Sequence, residues 1–225
     1  MNTLSNVSLP GGKVKPSSIE FTLDAFPEAK SSQTGVSSRY VYDPNKHWFV
    51  FRATYGREEK AADILIANGT YAYLPKRYTK KLVNGKMKRV LVPLIPNLLF
   101  AYTTEEEAES YKHRPGLSFL GFYHNKFDKD WDGKGKPLKV PTHEMENFIR
   151  ATSTMSEHLM MINPEQCHFK GGETVRIIDG LFKGVEGRIA RVSGQQRVIV
   201  SVSNVGFVST AYIPTAFIQI IESLV

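Results

Sequence analysis

The pattern of apolar and polar positions divides the chain into three stretches. Before His47, apolar residues are sparse among Ser, Thr, Pro, Gly and Asn and follow neither a helix nor a strand period. This composition is typical of a flexible extension, which we assign to residues 1–45. After it, β-rich runs alternate with helical patterns, and the last stretch contains β-rich runs alone.

The middle stretch, residues 46–162, predicts a mixed α/β domain. Its predicted strands are "HWFVFRAT", "TYAYLPKRYTKK", "KRVLVP", "NLLFAY" and "LSFLGFYH". Its predicted helices are "YGREEKAADILIANG", "TTEEEAESYKHR", "PTHEMENFIRAT" and a short one at "TMSEHLMMI", and "NKFDKDWDGKGKP" is predicted to be a polar loop. The pair Asn84-Gly85 is a strong signal for a tight hairpin.

The last stretch predicts a separate β domain. The runs "ETVRIIDG", "GRIARV", "QRVIVSVS", "GFVSTAYIP" and "FIQIIE" are separated by glycine or glycine-containing turns. Five short strands in so few residues indicate a small closed barrel over residues 173–225. The segment 163–172 is then a linker.

An apolar stretch between residues 90 and 102 is interrupted by Pro93 and Pro96. Proline cannot donate a hydrogen bond to a sheet, so a strand that only had to be buried would avoid it. Ile95 and Leu98 either fill the core of this chain or face a partner. The residues alone favour the core.

Charge is concentrated in one segment of the chain. The net charge is +7, and "KRYTKKLVNGKMKR" (76–89) contains seven basic residues and no acid. Such a block indicates either an anionic partner, most plausibly nucleic acid, or a hairpin kept soluble by lysines, with equal weight. One cysteine excludes an internal disulfide, and neither a leader peptide nor a membrane-spanning run is recognisable, so we expect a cytoplasmic protein without membrane contact.

The sequence contains few residues in patterns that would support catalysis or metal binding. The triplet Asp128, Asp130 and Asp132 followed by Gly133 imitates a calcium loop, but Lys139 stands where a bidentate carboxylate is needed. Cys167 and His168 are adjacent only in sequence. We expect no catalysis, no metal and no cofactor; a small hydrolase that uses Cys167 is the least favoured alternative.

Two motifs resemble a known family. The string "GGETVRIIDGLFKGVEGRIARV" resembles the KOW motif, whose characteristic positions here are Gly180, Phe182, Gly184 and Gly187. The strings "HWFVFRATYGREEKAADIL", "PLIPNLLFAY", "RPGLSFLGF" and "PLKVPTHEMENFI" resemble the N-terminal domain of NusG-type transcription factors. The resemblance implies an α+β fold: a four-stranded antiparallel sheet flanked by helices, followed by an SH3-like five-stranded barrel.

The resemblance also implies binding sites. Residues 93–98, which we call the elbow, would bind the clamp helices of RNA polymerase. The contact would be an apolar surface that is exposed in the free protein and formed by Pro93, Ile95, Pro96, Asn97 and Leu98. Nucleic acid near the transcription bubble would contact Arg52, Arg57 and the ring of Tyr55, for which core packing is an equal alternative. The basic segment would meet phosphates through Lys76, Arg77, Lys80, Lys81, Lys86, Lys88 and Arg89.

Departures from the general factor point to a specialised member. "IPNL" replaces the usual "FPGY", and Asn97 in the glycine position resembles RfaH and the capsule-operon antiterminators. The acidic "EEEAES" puts the gate-loop contact of such members in doubt. The function implied is a monomeric, non-enzymatic elongation and antitermination factor that recruits a ribosomal protein or a termination factor through its KOW domain. The alternative is a KOW-type RNA-binding protein of ribosomes or translation.

Overall fold

The computed structural model describes residues 41–129 and 135–222. Most of the predicted extension and residues 130–134 of the predicted polar loop lie outside them. Residues 41–45 are described, and there Asp43 is fixed to the fold. Its N–H donates to Tyr102 Oη and its carbonyl accepts from the same hydroxyl, both at 2.8 Å.

In the part of the chain that the structure describes, the N-terminal sheet has five antiparallel strands in the order β2-β5-β1-β6, with β9 also paired to β1. These strands are β1 (His47–Ala53), β2 (Tyr71–Tyr73), β5 (Leu98–Thr103), β6 (Leu120–Phe122) and β9 (Lys139–Val140). The prediction of four strands for this sheet was therefore wrong by one. The additional strand has two residues, too few for a recognisable alternation, and pairs with Trp48 and Phe49.

The two faces of this sheet are covered by different elements. Phe49 and Phe51 lie on one face, which packs against α1 (Glu58–Ala67) and α2 (Glu105–Ser110). Trp48 and Val50 lie on the other, which packs against α3 (Thr142–Thr152). Successive side chains in a strand point to opposite sides, and both sets are buried here because helices cover both faces.

A two-stranded ribbon stands apart from the sheet. It consists of β3 (Lys76–Val83) and β4 (Lys86–Pro93), joined at Asn84-Gly85. Both turn residues have positive φ, 51° and 73°, as a tight hairpin turn requires, so the hairpin prediction is confirmed. The predicted strand "TYAYLPKRYTKK" is split between β2 and β3 at Pro75, which lacks an N–H to continue the ladder.

The prediction that "NKFDKDWDGKGKP" is a polar loop was wrong for the residues of this segment that the structure describes. Here β7 (His124–Lys129) and β8 (Gly135–Pro137) form a second two-stranded ribbon.

Among the described residues, the C-terminal sheet has six antiparallel strands in the order β10-β14-β13-β12-β11-β15, so the prediction of five strands was wrong by one. They are β10 (Met160–Ile162), β11 (His168–Ile177), β12 (Glu186–Val192), β13 (Gln195–Val202), β14 (Gly206–Tyr212) and β15 (Ile218–Glu222). The short helix predicted at "TMSEHLMMI" was wrong, because its last residues pair with β14 and bury Ile162. The predicted linker 163–172 holds a turn at Pro164–Gln166 and the first half of β11.

Helix α3 connects the two sheets. Its Phe148 packs on Phe100 of the N-terminal sheet, with ring centroids 5.4 Å apart. Toward the C-terminal sheet, Asn147 exchanges two hydrogen bonds with the backbone of Glu186, at 2.6 and 2.8 Å. Glu144 accepts from both the N–H and the hydroxyl of Ser203 at 2.7 Å. One face of the N-terminal sheet, α3 and part of the C-terminal sheet contribute apolar side chains to one continuous buried cluster.

Within the described ranges, no helix is both long and apolar enough to cross a membrane.

Candidate functional site

Three segments that the sequence predicted as site residues meet at one end of the N-terminal sheet, where its inner strands β1 and β5 end and begin. The end of β1 lies beside the start of β5, where Arg52 is opposite Leu98. The N–H of Ala53 donates to the carbonyl of Asn97 at 2.8 Å. The basic ribbon runs directly into the same elbow through Pro93, the last residue of β4. The elbow, the turn after β1 and the ribbon are thus neighbours.

The elbow is a tight turn that its sequence suits. The N–H of Leu98 donates to the carbonyl of Ile95 at 3.4 Å, so Pro96 and Asn97 occupy the two central positions. Asn97 has a φ of 64°. Proline followed by a residue with positive φ is the arrangement typical of a type II turn, in which asparagine is the usual substitute for glycine. The prolines therefore lie where no ladder hydrogen bond is required.

The elbow does not present its large apolar side chains to solvent. Ile95 and Leu98 are each 8% exposed and belong to the cluster that includes α3 and the C-terminal sheet. The expectation that they are exposed in the free protein was wrong, because they pack within the chain itself. Pro96 is exposed, and Pro93 and Asn97 are half-buried. These three form the accessible part of the elbow.

The turn after β1 displays an aromatic ring. Tyr55 is 91% exposed and has a φ of 62°, a left-handed conformation that costs a residue with a large side chain. The alternative that Tyr55 packs in the core was therefore wrong. The N–H of Gly56 donates to Asn97 Oδ1 at 3.0 Å, so the elbow side chain holds the turn that carries the ring. The sequence did not predict this contact between Gly56 and Asn97. Its only signal was Asn97 itself, which stands where the resembling family usually has a glycine.

The two arginines predicted to act with Tyr55 lie in different surroundings. Arg57 lies over the ring of Phe119, 4.1 Å from its centroid, and its Nε donates to the carbonyl of Thr54 at 3.1 Å. Its guanidinium is also 5.4 Å from the centre of the Tyr55 ring. Arg52 is exposed at the end of β1. A cation and an exposed ring side by side are suited to a nucleotide, whose phosphate and base they match.

The basic ribbon separates into an anchored base and a free arm. Lys76 pairs with Glu59 at 3.0 Å, and Arg77 donates to the carbonyl of Leu159 at 3.0 Å. These two cations hold the ribbon against the fold. Five others are exposed along the arm: Lys80, Lys81, Lys86, Lys88 and Arg89. Arg89 stacks on Tyr78, with its guanidinium 4.0 Å from the ring centroid.

The four positions of the KOW-like string lie at a different place, beside α3. Phe182 is 3% exposed in the turn between β11 and β12, and Gly180 and Gly184 have φ values of 81° and 83°. A Cβ at Gly187 would collide with the carbonyl oxygen of Ile199 on the next strand. The carbonyl of Gly184 accepts from Arg150 of α3 at 3.1 Å. This loop is thus built around a buried ring and faces the helix between the sheets.

The candidates for catalysis remain weak. Cys167 is buried, and burial raises the pKa of its thiol, which lowers the thiolate fraction that a nucleophile needs. Of the calcium-like triplet, Asp128 pairs with Lys136 at 3.1 Å, and the rest lies outside the described residues. Among residues 41–129 and 135–222, no group of three or more acidic, His or Cys side chains is placed to hold a metal ion.

A family match covers part of the chain. Residues 46–149 match the family model described as "Transcription termination factor nusG". Among solved structures, the one titled "Domain interaction in Thermotoga maritima NusG" is 19% identical, covering 79% of this chain and 98% of that chain at a TM-score of 0.39. No match was found among curated proteins. The segment that matches the family model includes the elbow, the Tyr55 turn and the basic ribbon.

Proposed function

We propose that this chain is a non-enzymatic transcription elongation and antitermination factor of the NusG type. The observation that carries the proposal is the position of the family match: residues 46–149 contain the elbow, the Tyr55 turn and the basic ribbon. A stiff turn suits contact with a protein because it loses little entropy on binding. A displayed ring and a basic arm suit contact with nucleic acid.

In this proposal the elbow contacts the clamp helices of RNA polymerase. Pro93, Pro96 and Asn97 are accessible in the free chain, and the turn that carries them is rigid, so little conformational entropy is lost on binding. Ile95 and Leu98 contribute only after they are uncovered, because both are buried.

The neighbouring cations contact DNA at the transcription bubble. The Tyr55 ring with Arg57 beside it suits an unpaired base and its phosphate, and the exposed Arg52 at the end of β1 is proposed to meet a further phosphate. The arm suits the duplex, through a contact that depends on salt and not on base sequence. Asn97 favours a specialised member of the family, related to RfaH, over the general factor.

The C-terminal sheet is proposed to be an SH3-like KOW domain that recruits a ribosomal protein or a termination factor. Its support is the glycine-rich turn that buries Phe182 and the collision that any side chain at Gly187 would meet. The chain is proposed to act as a monomer in the cytoplasm, where it meets the polymerase.

The test is binding to purified core RNA polymerase, with ribosome co-sedimentation in parallel. The wild-type chain should bind polymerase and reduce pausing in a transcription assay. Pro96→Glu, which changes an exposed elbow residue, should weaken polymerase binding at least tenfold, whereas Pro115→Glu, at an exposed proline outside the elbow, should not. Sedimentation with ribosomes without polymerase binding would instead support the ribosomal alternative.

A further inference from the structure

The end of the basic ribbon carries two apolar side chains in solvent. Leu82 is 69% exposed and Met87 is 63% exposed. The two lie directly opposite each other, one pair before the Asn84-Gly85 turn. Exposed large apolar residues at the tip of an arm contribute nothing to the core of the chain, and contiguous ones mark contact sites.

Charge surrounds this pair in a regular way. Opposite residues of a two-stranded ribbon share a face, so Lys80 and Arg89 lie next to the apolar pair on the same side. Lys81 and Lys88 oppose each other on the other side. Like charges directly opposite destabilise a ribbon, and a lone two-stranded ribbon is only marginally stable. An anionic partner offsets that cost.

The arm projects from a fixed base. The N–H of Tyr78 donates to the carbonyl of Met155 at 3.1 Å, one residue beyond the contacts of Lys76 and Arg77. From Tyr78 to Asn84 the strand reaches about 20 Å at the usual rise per residue. A ribbon of this length and charge fits a groove of duplex DNA.

We propose that Leu82 and Met87 form an apolar wedge that enters duplex DNA and partly unstacks a base step. The cations behind the pair hold the phosphates on either side, while Leu and Met are residue types that proteins insert between base steps. A-form RNA is a poorer partner, because its deep major groove is too narrow to admit side chains and its minor groove is shallow. The inference rests on the proposed function in one respect, namely that the arm meets DNA.

The test uses the full chain and duplexes that carry 2-aminopurine, whose fluorescence rises when its base unstacks. Leu82→Thr with Met87→Thr keeps strand propensity and every charge, but removes the wedge. Lys81→Gln with Lys88→Gln is the matched control, because it removes two charges from the opposite face and keeps the wedge. Binding to DNA, its salt dependence and binding to core polymerase are measured on the same samples.

The wild-type chain should raise the fluorescence severalfold at saturation for at least one probe position. The Thr variant should lose this rise while its salt slope is unchanged. The Gln control should bind more weakly, with a slope lower by about 0.9 for each phosphate that is no longer neutralised, and still unstack the probe at saturation.

The wedge is wrong if wild-type chain saturates the duplexes without a rise, or if the Thr variant gives the wild-type rise. Loss of polymerase binding in the Thr variant, with unstacking intact, would likewise overturn it in favour of a protein contact. Failure of the proposed function is recognised separately: the wild-type chain would not bind polymerase, whatever its effect on the probe.

Discussion

The contact between Asn97 and Gly56 gives the sharpest test of how the Tyr55 ring is displayed. Asn97→Gly removes the side-chain acceptor and preserves the positive φ, which glycine adopts freely. The main-chain bond from Ala53 to the carbonyl of residue 97 is unaffected by the change and serves as an internal reference.

The size of the effect follows from the one hydrogen bond that is removed. A hydrogen bond of this kind contributes about 1 kcal/mol net, which corresponds to about fivefold in an equilibrium. The left-handed Tyr55 backbone opposes the displayed conformation, so the turn should relax when Asn97 no longer holds it. Binding of single-stranded DNA through the ring should weaken by up to about fivefold, while the stability of the fold changes little.

The assay is amide hydrogen exchange by NMR, combined with a binding titration. In the variant, the Gly56 N–H should exchange about fivefold faster, whereas the Ala53 N–H should keep its wild-type rate. Adding Tyr55→Ala to both the wild-type chain and the Asn97→Gly variant should remove the difference in DNA binding between them. An unchanged Gly56 rate, together with unchanged DNA binding, would refute the reasoning and mean that Gly56 alone fixes the turn.

Three further predictions concern the ribbon, the glycine-rich turn and an acidic group. Replacing the four exposed lysines of the arm by Gln should lower the salt slope of DNA binding by about 0.9 for each phosphate that is no longer neutralised, and an unchanged slope would make the arm a solubility feature. Phe182→Ala should cost about 3–5 kcal/mol in the free energy of unfolding, because the ring is buried; a thermal melt identical to that of wild type would show that it is not. Burial raises the pKa of Glu107, but hydrogen bonds from Thr103 and Thr70, with smaller contributions from Tyr111 and the charge on Arg114, outweigh it and leave the pKa below the usual range. Glu107 therefore stabilises the fold above its unfolded pKa, near 4.3, and this stabilisation is lost as the pH falls through the folded pKa. Glu107→Gln should flatten the acid-unfolding curve below about pH 4. An unaltered curve would contradict the hydrogen bonds assigned to Glu107.

Local signals in the sequence were enough to predict part of this fold. The hairpin at Asn84-Gly85 and the strand around Phe49 follow from turn chemistry and apolar runs, which act over a few residues. The helix at Thr142–Thr152 was also predicted from its periodicity. These features depend little on the rest of the chain.

Features that depend on distant contacts could not be predicted in the same way. Met160–Ile162 resembles a short helix in isolation, but pairs with a strand nearly fifty residues later. For Ile95 the residues alone favoured the core, whereas the family resemblance implied an exposed surface; its burial among side chains of α3 and the C-terminal sheet agrees with the first expectation and not with the second. A charge at Ile95 would therefore test folding, whereas Pro96 is the residue that tests binding.

The candidate site was predicted in its residue types but not in its roles. Seven basic residues are equivalent in sequence, yet Lys76 and Arg77 are tied to Glu59 and Leu159, on elements remote from the ribbon along the chain. The bond from Gly56 to Asn97 joins residues 41 positions apart. Neither contact has a local sequence signature.

Site-specific photocrosslinking tests most directly whether the elbow contacts RNA polymerase. A benzoylphenylalanine at position 96, which is exposed, is compared with one at position 212, where an exposed tyrosine lies on the C-terminal sheet. We expect a crosslink from position 96 to the clamp helices of core polymerase, and none to those helices from position 212. Stable binding to polymerase with no crosslink from position 96, or the same crosslink from both positions, would contradict this contact.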